Sequence, residues 1–222
     1  MSEPLQITVG DERVSGRLYR AAGPRARVTL VLGHGAGADQ SSAFLVEYSE
    51  ALAARGLDVM TFNFVYSEQK RGAPDRPPKL EACWRAAIET ARPLFKDHAL
   101  VIGGKSMGGR IASQVAAAGV DGLRALVFLG YPLHPPDQPD KLRIAHLPNI
   151  RLPMLFVQGD RDPFGSPAEL TPILAPLEPA PLIVPIAGGD HSFKVAKRDG
   201  GGPHIHTAIQ DQIVRWLRET LQ

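Results

Sequence analysis

The feature that most constrains this chain is the alternation of short apolar runs with longer amphipathic runs from residue 28 onward. Val28–Leu32 (VTLVL) is an apolar run apart from Thr29 and ends at Gly33, as is typical of a strand buried on both faces of a sheet. Lys79–Phe95 instead carries its apolar residues at helical spacing along one face. Strands that alternate with helices favour a parallel sheet with helices on both faces, so we predict an α/β fold.

The same patterns give the individual elements. We predict strands over Leu5–Val9, Val14–Tyr19, Val28–Leu32, Asp58–Phe64, Ala99–Ile102, Ala125–Leu129, Met154–Gln158 and Leu182–Ile186. We predict helices from Phe44 to just before Gly56 and over Lys79–Phe95, Met107–Ala118 and His204–Leu221. The first two strands flank a Gly-Asp-Glu-Arg turn and are expected to form an antiparallel hairpin. Tyr131–Pro153 is the only long irregular segment, and we expect it to cross the carboxyl edge of the sheet. With no linker or internal repeat, residues 1–222 are predicted to form a single domain.

Composition narrows the functional classes. The 222 residues carry 25 basic and 23 acidic side chains, a net charge of +2 that is too even for a dedicated nucleic-acid binder. Cys83 is the only cysteine, which favours a reducing compartment. The sequence has no secretory-signal pattern and no apolar run near the ~20 residues that span a bilayer. We therefore expect a cytoplasmic protein without membrane insertion or a nucleic-acid partner.

Gly104-Lys105-Ser106-Met107-Gly108 fits the pattern G-x-S-x-G between a predicted strand and a predicted helix. A sharp turn there would hold Ser106 in strained backbone dihedrals that expose its hydroxyl, and small residues on either side allow the turn to close. The segment also ends like a phosphate-binding loop, G-x-x-x-x-G-K-[ST]. That pattern requires a first glycine at Ala99 and a loop where the strand runs, so we favour a serine nucleophile.

A serine hydroxyl at neutral pH needs a base, and the base needs a carboxylate to orient it. Asp160 and Asp162 follow one predicted strand, and Asp190 and His191 follow the next. Each residue also has a structural interpretation, as a turn aspartate or a surface histidine. Because ligands bind at the carboxyl ends of parallel strands, we expect the loops that carry them to meet at one edge.

An oxyanion site needs two backbone N–H donors. Met107, directly after the candidate nucleophile, is predicted to supply one, and Ala36, in the glycine-rich loop after Val28–Leu32, the other. That loop, Gly33-x-Gly35-x-x-Ala38, also fits a dinucleotide-binding pattern. A dinucleotide site expects an acidic residue at the end of the next strand. That strand ends in Thr-Phe-Asn-Phe, which contains no acid, so we favour the oxyanion loop.

Four motifs in this order, HGAGAD, GGKSMGGR, GDRD and GGDHSF, resemble the α/β-hydrolase family, in particular its small bacterial members related to dienelactone hydrolase. The resemblance runs from about Val28 to the end of the chain. It implies Ser106 as nucleophile, His191 as general base and acid, and Asp162, three residues after Gly159, as the group that orients His191. It also implies an oxyanion hole at Ala36 and Met107. Dienelactone hydrolase has a cysteine nucleophile, so a lactone substrate is not implied.

The aromatic and apolar residues that follow strand ends or catalytic positions are candidates for an acyl pocket. They are Phe64, Tyr66, Tyr131, Leu133, Phe164 and Phe193. The segment Gly130–Pro153 is too short for a substantial lid, so we expect an open site for small esters. Lys105 is either solvated or bonded to a neighbouring loop. His204 and His206 resemble a metal pair only loosely, and we predict no metal and no cofactor.

Three hypotheses follow for the function. The first is a serine hydrolase that cleaves small carboxylic esters through an acyl-enzyme intermediate. The second is a peptidase or thioesterase that works with the same three residues. The third is a non-catalytic interaction module on a hydrolase fold, because a fold alone does not define an activity.

Overall fold

The apolar runs form one eight-stranded sheet in the computed structural model, which describes residues 2–221. The strands are β1 (Glu3–Val9), β2 (Glu12–Tyr19), β3 (Val28–Gly33), β4 (Asp58–Phe62), β5 (Ala99–Lys105), β6 (Leu123–Leu129), β7 (Met154–Gly159) and β8 (Leu182–Ile186). Their spatial order is β1-β2-β4-β3-β5-β6-β7-β8. The pairs β1–β2 and β2–β4 are antiparallel, and the strands from β4 to β8 are parallel to one another. The predicted hairpin and mostly parallel sheet are confirmed.

Helices cover both faces of this sheet. They are α1 (Ala43–Ala54), α2 (Val65–Glu68), α3 (Pro77–Leu94), α4 (Met107–Ala117), α5 (Pro167–Leu174) and α6 (Pro203–Thr220), with 3₁₀ turns at Leu147–Asn149 and Lys197–Asp199. One core lies under α3 and α4 and contains Trp84 and Phe128. The other lies under α1 and α6 and contains Tyr48 and Ile213. The two cores explain why β3 and β6 are apolar on both faces.

Two differences from the sequence prediction lie beside the site. The strand predicted over Asp58–Phe64 ends at Phe62, because the Phe64 N–H donates to the buried His34 Nε2 (3.2 Å) and the chain turns into α2. Helix α5 was not predicted. Its signal was present, since Ser166 and Glu169 form a reciprocal capping box, and S-x-x-E is a typical helix start.

Neither a strand nor an α-helix forms between the end of β6 and the start of β7, and the 3₁₀ turn there is the only regular element. The predicted absence of a substantial lid is confirmed. Within residues 2–221, no helix combines the length and apolarity needed to cross a membrane.

Helix α4 packs unusually close to β3, and glycine makes this possible. A Cβ atom on Gly108 would lie 2.2 Å from the Gly33 carbonyl oxygen and 2.4 Å from its carbon. A Cβ on Gly104 would lie 2.2 Å from the same oxygen. Both positions precede or follow the candidate nucleophile by two residues, so the approach of α4 to β3 fixes the turn that carries Ser106.

We predict that Gly108→Ala lowers the free energy of unfolding by about 2 kcal/mol. Overpacking against backbone costs about 1–3 kcal/mol or more, which exceeds the ~1 kcal/mol gained by replacing glycine within a helix. Urea denaturation followed by circular dichroism measures the change. Gly72→Ala is the control, because a Cβ there has no neighbour within 4 Å. Equal stability of the two variants would contradict the close contact.

Candidate active site

The candidate nucleophile lies on a strained turn at the carboxyl edge of the sheet. Ser106 joins β5 directly to α4 and has φ 51° and ψ −118°, a conformation that non-glycine residues rarely adopt. Its N–H donates to the Leu129 carbonyl (3.1 Å), and its own carbonyl accepts from the Arg110 N–H (3.0 Å). Backbone bonds on both sides therefore hold the strain, and the side chain lines the cleft above the sheet.

The loops after β7 and β8 bring an aspartate and a histidine together. The His191 Nδ1 lies 2.7 Å from Asp162 Oδ2. The Asp162 side chain is fully buried, whereas 20% of the His191 side chain is exposed. Because a carboxylate only accepts hydrogen bonds, Nδ1 carries the proton, and Nε2 is left unprotonated as a base in the neutral ring.

Gln158, at the end of β7, holds Asp162 in place. Its Nε2 donates to Asp162 Oδ2 (2.8 Å) and to the Gly165 carbonyl (2.6 Å), while its Oε1 accepts from the Tyr131 N–H (2.8 Å). The side chain is completely buried. Sequence reasoning missed this residue, although a single amide in the apolar strand MLFVQG was a usable signal.

Phe164 completes the surroundings of this pair. Its N–H donates to Asp162 Oδ1 (2.9 Å), and its ring lies against the His191 imidazole with centroids 4.5 Å apart. Both Asp162 oxygens are thus bonded to donors, as a buried carboxylate requires.

The two competing aspartates point elsewhere. Asp160 is exposed. Asp190 Oδ1 accepts from the backbone N–H groups of Ser192 (2.7 Å) and Lys194 (2.9 Å), which shapes the turn that carries His191. The geometry therefore selects Asp162 from the sequence candidates as the partner of His191.

Ser106 and His191 line the same cleft, but within residues 2–221 the structure has no hydrogen bond between them. Catalytic hydrogen bonds are often long before substrate binds.

The loop after β3 lies against the nucleophile. A Cβ on Gly35 would lie 3.6 Å from the Ser106 Cβ, so the lack of a side chain there brings the two backbones together. His34 holds the loop from behind, since its Nδ1 bonds to the Gly35 carbonyl (2.9 Å) and its Nε2 accepts from the Phe64 N–H. Burial lowers the pKa of His34, which favours the neutral ring that this pattern requires.

The predicted oxyanion donors, Ala36 and Met107, both line the cleft beside Ser106. Neither backbone N–H has an acceptor among residues 2–221. Met107 is the first residue of α4, so its N–H is one of those that a helix leaves without an internal partner.

Lys105 bonds to a neighbouring loop, the second of the two roles considered from the sequence. Its Nζ donates to the His191 backbone carbonyl and lies 5.7 Å and 5.8 Å from the ring centres of Phe44 and Phe193. The residue next to the nucleophile is therefore bonded to the backbone of the candidate base. Burial lowers the pKa of Lys105 to about 8, although Asp162 and Asp190 act in the opposite direction.

The cleft has a volume of about 580 Å³ and differs from the predicted acyl pocket. Of the six pocket candidates, Phe164 lines it. The other five are buried in the two cores and do not line this cleft: Phe64, Tyr66, Tyr131, Leu133 and Phe193. This corrects the expectation. A position after a strand end predicts a side chain that faces the cleft. These five large apolar side chains are instead buried beneath the loops, away from water.

The two histidines near the start of α6 lie in different environments. His204 is exposed, whereas His206 Nδ1 bonds to the Tyr48 hydroxyl at 3.0 Å. This places His206 in the aromatic cluster between α1 and α6.

A family model described as an alpha/beta hydrolase domain matches residues 26–218. The chain belongs to the alpha/beta hydrolase family. The resemblance stated from the four motifs is confirmed, and membership of this family makes the protein a hydrolase by class.

Solved structures support the same fold. A dienelactone hydrolase from Anabaena variabilis is 21% identical, with a TM-score of 0.79 over 100% of this chain and 99% of that one. An alpha-beta serine hydrolase homologue from Coxiella burnetii is 19% identical, with a TM-score of 0.78 over 97% of each chain. A Xanthomonas campestris protein described as an a/b serine hydrolase without lid is 22% identical, with a TM-score of 0.75 over 97% of this hydrolase and 94% of that chain.

The lowered pKa of Lys105 predicts a stability change at alkaline pH. Between about pH 8, its value in the folded hydrolase, and its ordinary value of 10.5, the unfolded chain binds more protons at this site. The contribution of Lys105 to the free energy of unfolding therefore rises with pH across that window. Urea denaturation at several pH values should show the wild type gaining stability relative to Lys105→Met between pH 8 and 10.5. If the free energies of unfolding of the two proteins changed with pH in the same way, this would contradict the lowered pKa of Lys105.

Proposed function

We propose that this hydrolase cleaves small carboxylic esters by a serine mechanism with an acyl-enzyme intermediate. The observation that carries the proposal is the strained Ser106 turn, which lies in one cleft with the His191–Asp162 pair. A serine, a base and a carboxylate that orients the base form the arrangement used for nucleophilic acyl transfer.

In the proposed mechanism, Ser106 Oγ attacks the ester carbonyl while His191 Nε2 accepts its proton. The carbonyl oxygen becomes an oxyanion, to which the N–H groups of Ala36 and Met107 donate. The protonated His191 then gives its proton to the leaving alcohol, which departs and leaves an acyl-Ser106 ester. Water attacks this ester with His191 again as base, and the acid and free Ser106 are released. Asp162 stays ionised throughout and stabilises the imidazolium.

The shape of the cleft supports small substrates. Its volume of about 580 Å³ is within the usual range for small-molecule sites, and the segment between β6 and β7 forms no lid domain. A small-molecule ester as the partner and a cytoplasmic location, which the single cysteine favours, are parts of this proposal.

A fluorophosphonate probe tests the nucleophile directly. We expect the intact mass of the wild type to increase by one adduct, and Ser106→Ala to remain unmodified with an unchanged circular dichroism spectrum. The same variant should lose about 10⁴-fold or more in kcat on 4-nitrophenyl acetate. Ser41→Ala, which changes an exposed serine outside the cleft, should be labelled like the wild type. A folded wild type that forms no adduct would overturn the proposal and favour the interaction module.

The choice between the two aspartates after β7 gives a second test. Every contact of the Asp162 carboxylate comes from a donor, so the amide of Asp162→Asn would place an NH₂ group against a donor. We expect kcat to fall about 10⁴-fold, as in serine hydrolases that lose this charge. Asp160→Asn, at an exposed position, is the matched control and should retain turnover. A larger loss from the Asp160 variant would reverse the assignment.

A further inference from the structure

Two arginines line the cleft beside Ser106 without a counter-ion. Arg110 and Arg143 both contribute to its wall. The arginine ion pairs formed within residues 2–221 involve other arginines, and neither of these two guanidinium groups bonds to a protein acceptor there. The acidic side chain on the same wall, Asp75, is already paired with Arg71 at 2.6 Å.

The two arginines come from different elements, and the backbone of each is fixed. Arg110 lies on α4, one turn after Ser106, and its N–H donates to the Ser106 carbonyl (3.0 Å). Arg143 lies in the segment between β6 and β7. Its N–H donates to the Leu133 carbonyl (2.8 Å), and its carbonyl accepts from the Tyr131 hydroxyl (2.8 Å). The fold thus presents two cationic groups to the space in front of the nucleophile.

This arrangement costs free energy unless an anion is present. Burial and the like charge of Arg143 lower the pKa of Arg110, yet a guanidinium stays protonated at neutral pH. Two partly desolvated like charges repel each other, and a shared anion would offset both the repulsion and the lost hydration. Lys105 also lines the cleft, but its ammonium group already donates to the His191 carbonyl, so we do not include it in the anion site.

We propose that Arg110 and Arg143 form an anion-binding subsite and that the natural substrate is an ester that carries a carboxylate or phosphate group. A guanidinium matches the two oxygens of either anion with paired N–H donors. Both arginines line the same cleft as Ser106, so the proposed substrate has its ester carbonyl at Ser106 and its anionic group at the subsite. This inference rests on the proposed ester hydrolysis and adds a substrate class to it.

Paired substrates test the subsite. We compare kcat/KM for 4-nitrophenyl hemisuccinate, with a carboxylate at the end of its acyl chain, and for the neutral 4-nitrophenyl butyrate. We expect the wild type to prefer the anionic ester, and the ratio of the two values to fall about 10- to 100-fold in Arg110→Gln and in Arg143→Gln, the range expected for losing a charge-assisted hydrogen bond. Arg110→Lys, which retains the charge, should keep most of the preference and shows that loss of charge, not of folding, is responsible.

Inhibition identifies which anion the subsite takes. Succinate and inorganic phosphate are compared as inhibitors of butyrate hydrolysis, with neutral succinamide as the control. Stronger inhibition by succinate would assign a carboxylate, and stronger inhibition by phosphate would assign a phosphate. Arg151→Gln, at an exposed position outside the cleft, should leave the substrate ratio and the inhibition unchanged.

The outcomes separate the two proposals. Hydrolysis of both esters with a ratio that neither glutamine variant changes overturns the anion subsite and leaves ester hydrolysis standing. A wild type that hydrolyses neither ester and takes up no fluorophosphonate overturns the proposed function and the subsite with it.

Discussion

The close approach of the Gly104–Gly108 turn to the Gly33 carbonyl is the contact on which the site depends. It lets α4 begin immediately after β5, so that Ser106 has no room for an ordinary helical or extended conformation. The strain, of the order of 1–3 kcal/mol, is offset by packing on both sides of the turn. The same approach places the loop after β3 beside the nucleophile. One backbone contact thus sets the position of both the serine and the candidate oxyanion loop.

A second constraint is the burial of Asp162. A fully buried carboxylate is tolerable only when its oxygens are bonded to donors, and here the donors come from a strand, a turn and the candidate base. Gln158 contributes more than one bond, because its amide also ties Asp162 to the chain at Tyr131 and Gly165. Orientation of His191 is therefore a property of the whole carboxyl edge between β6 and β8.

The sequence predicted the sheet and the helices with long apolar stripes, because these depend on local periodicity. The roles of Ser106, His191 and Asp162 remain predictions from the motifs; the structure pairs His191 with Asp162 and places Ser106 in the same cleft as His191. The sequence did not predict Gln158 or His34 as supports. Gln158 accepts from the Tyr131 N–H and His34 accepts from the Phe64 N–H, and these donors lie 27 and 30 residues away along the chain. The prediction of the acyl-pocket residues was wrong for a related reason. A position after a strand does not say whether a large side chain turns toward the cleft or back into the core, and five of the six candidates turn back.

The absence of a lid domain changes what can give this hydrolase selectivity. An enclosed pocket selects by shape, because the whole substrate must fit within walls. In an open cleft of about 580 Å³, many small molecules can reach Ser106, so discrimination has to come from a few directed interactions. Charge suits this task, since a partly desolvated guanidinium attracts an anion more strongly than exposed charges do in water. The short segment between β6 and β7, which forms no lid, still contributes Arg143 to the cleft, and it does so through two backbone contacts that hold its position. In this fold, two arginines on fixed backbone positions can thus provide the selectivity that an enclosed pocket provides in other hydrolases.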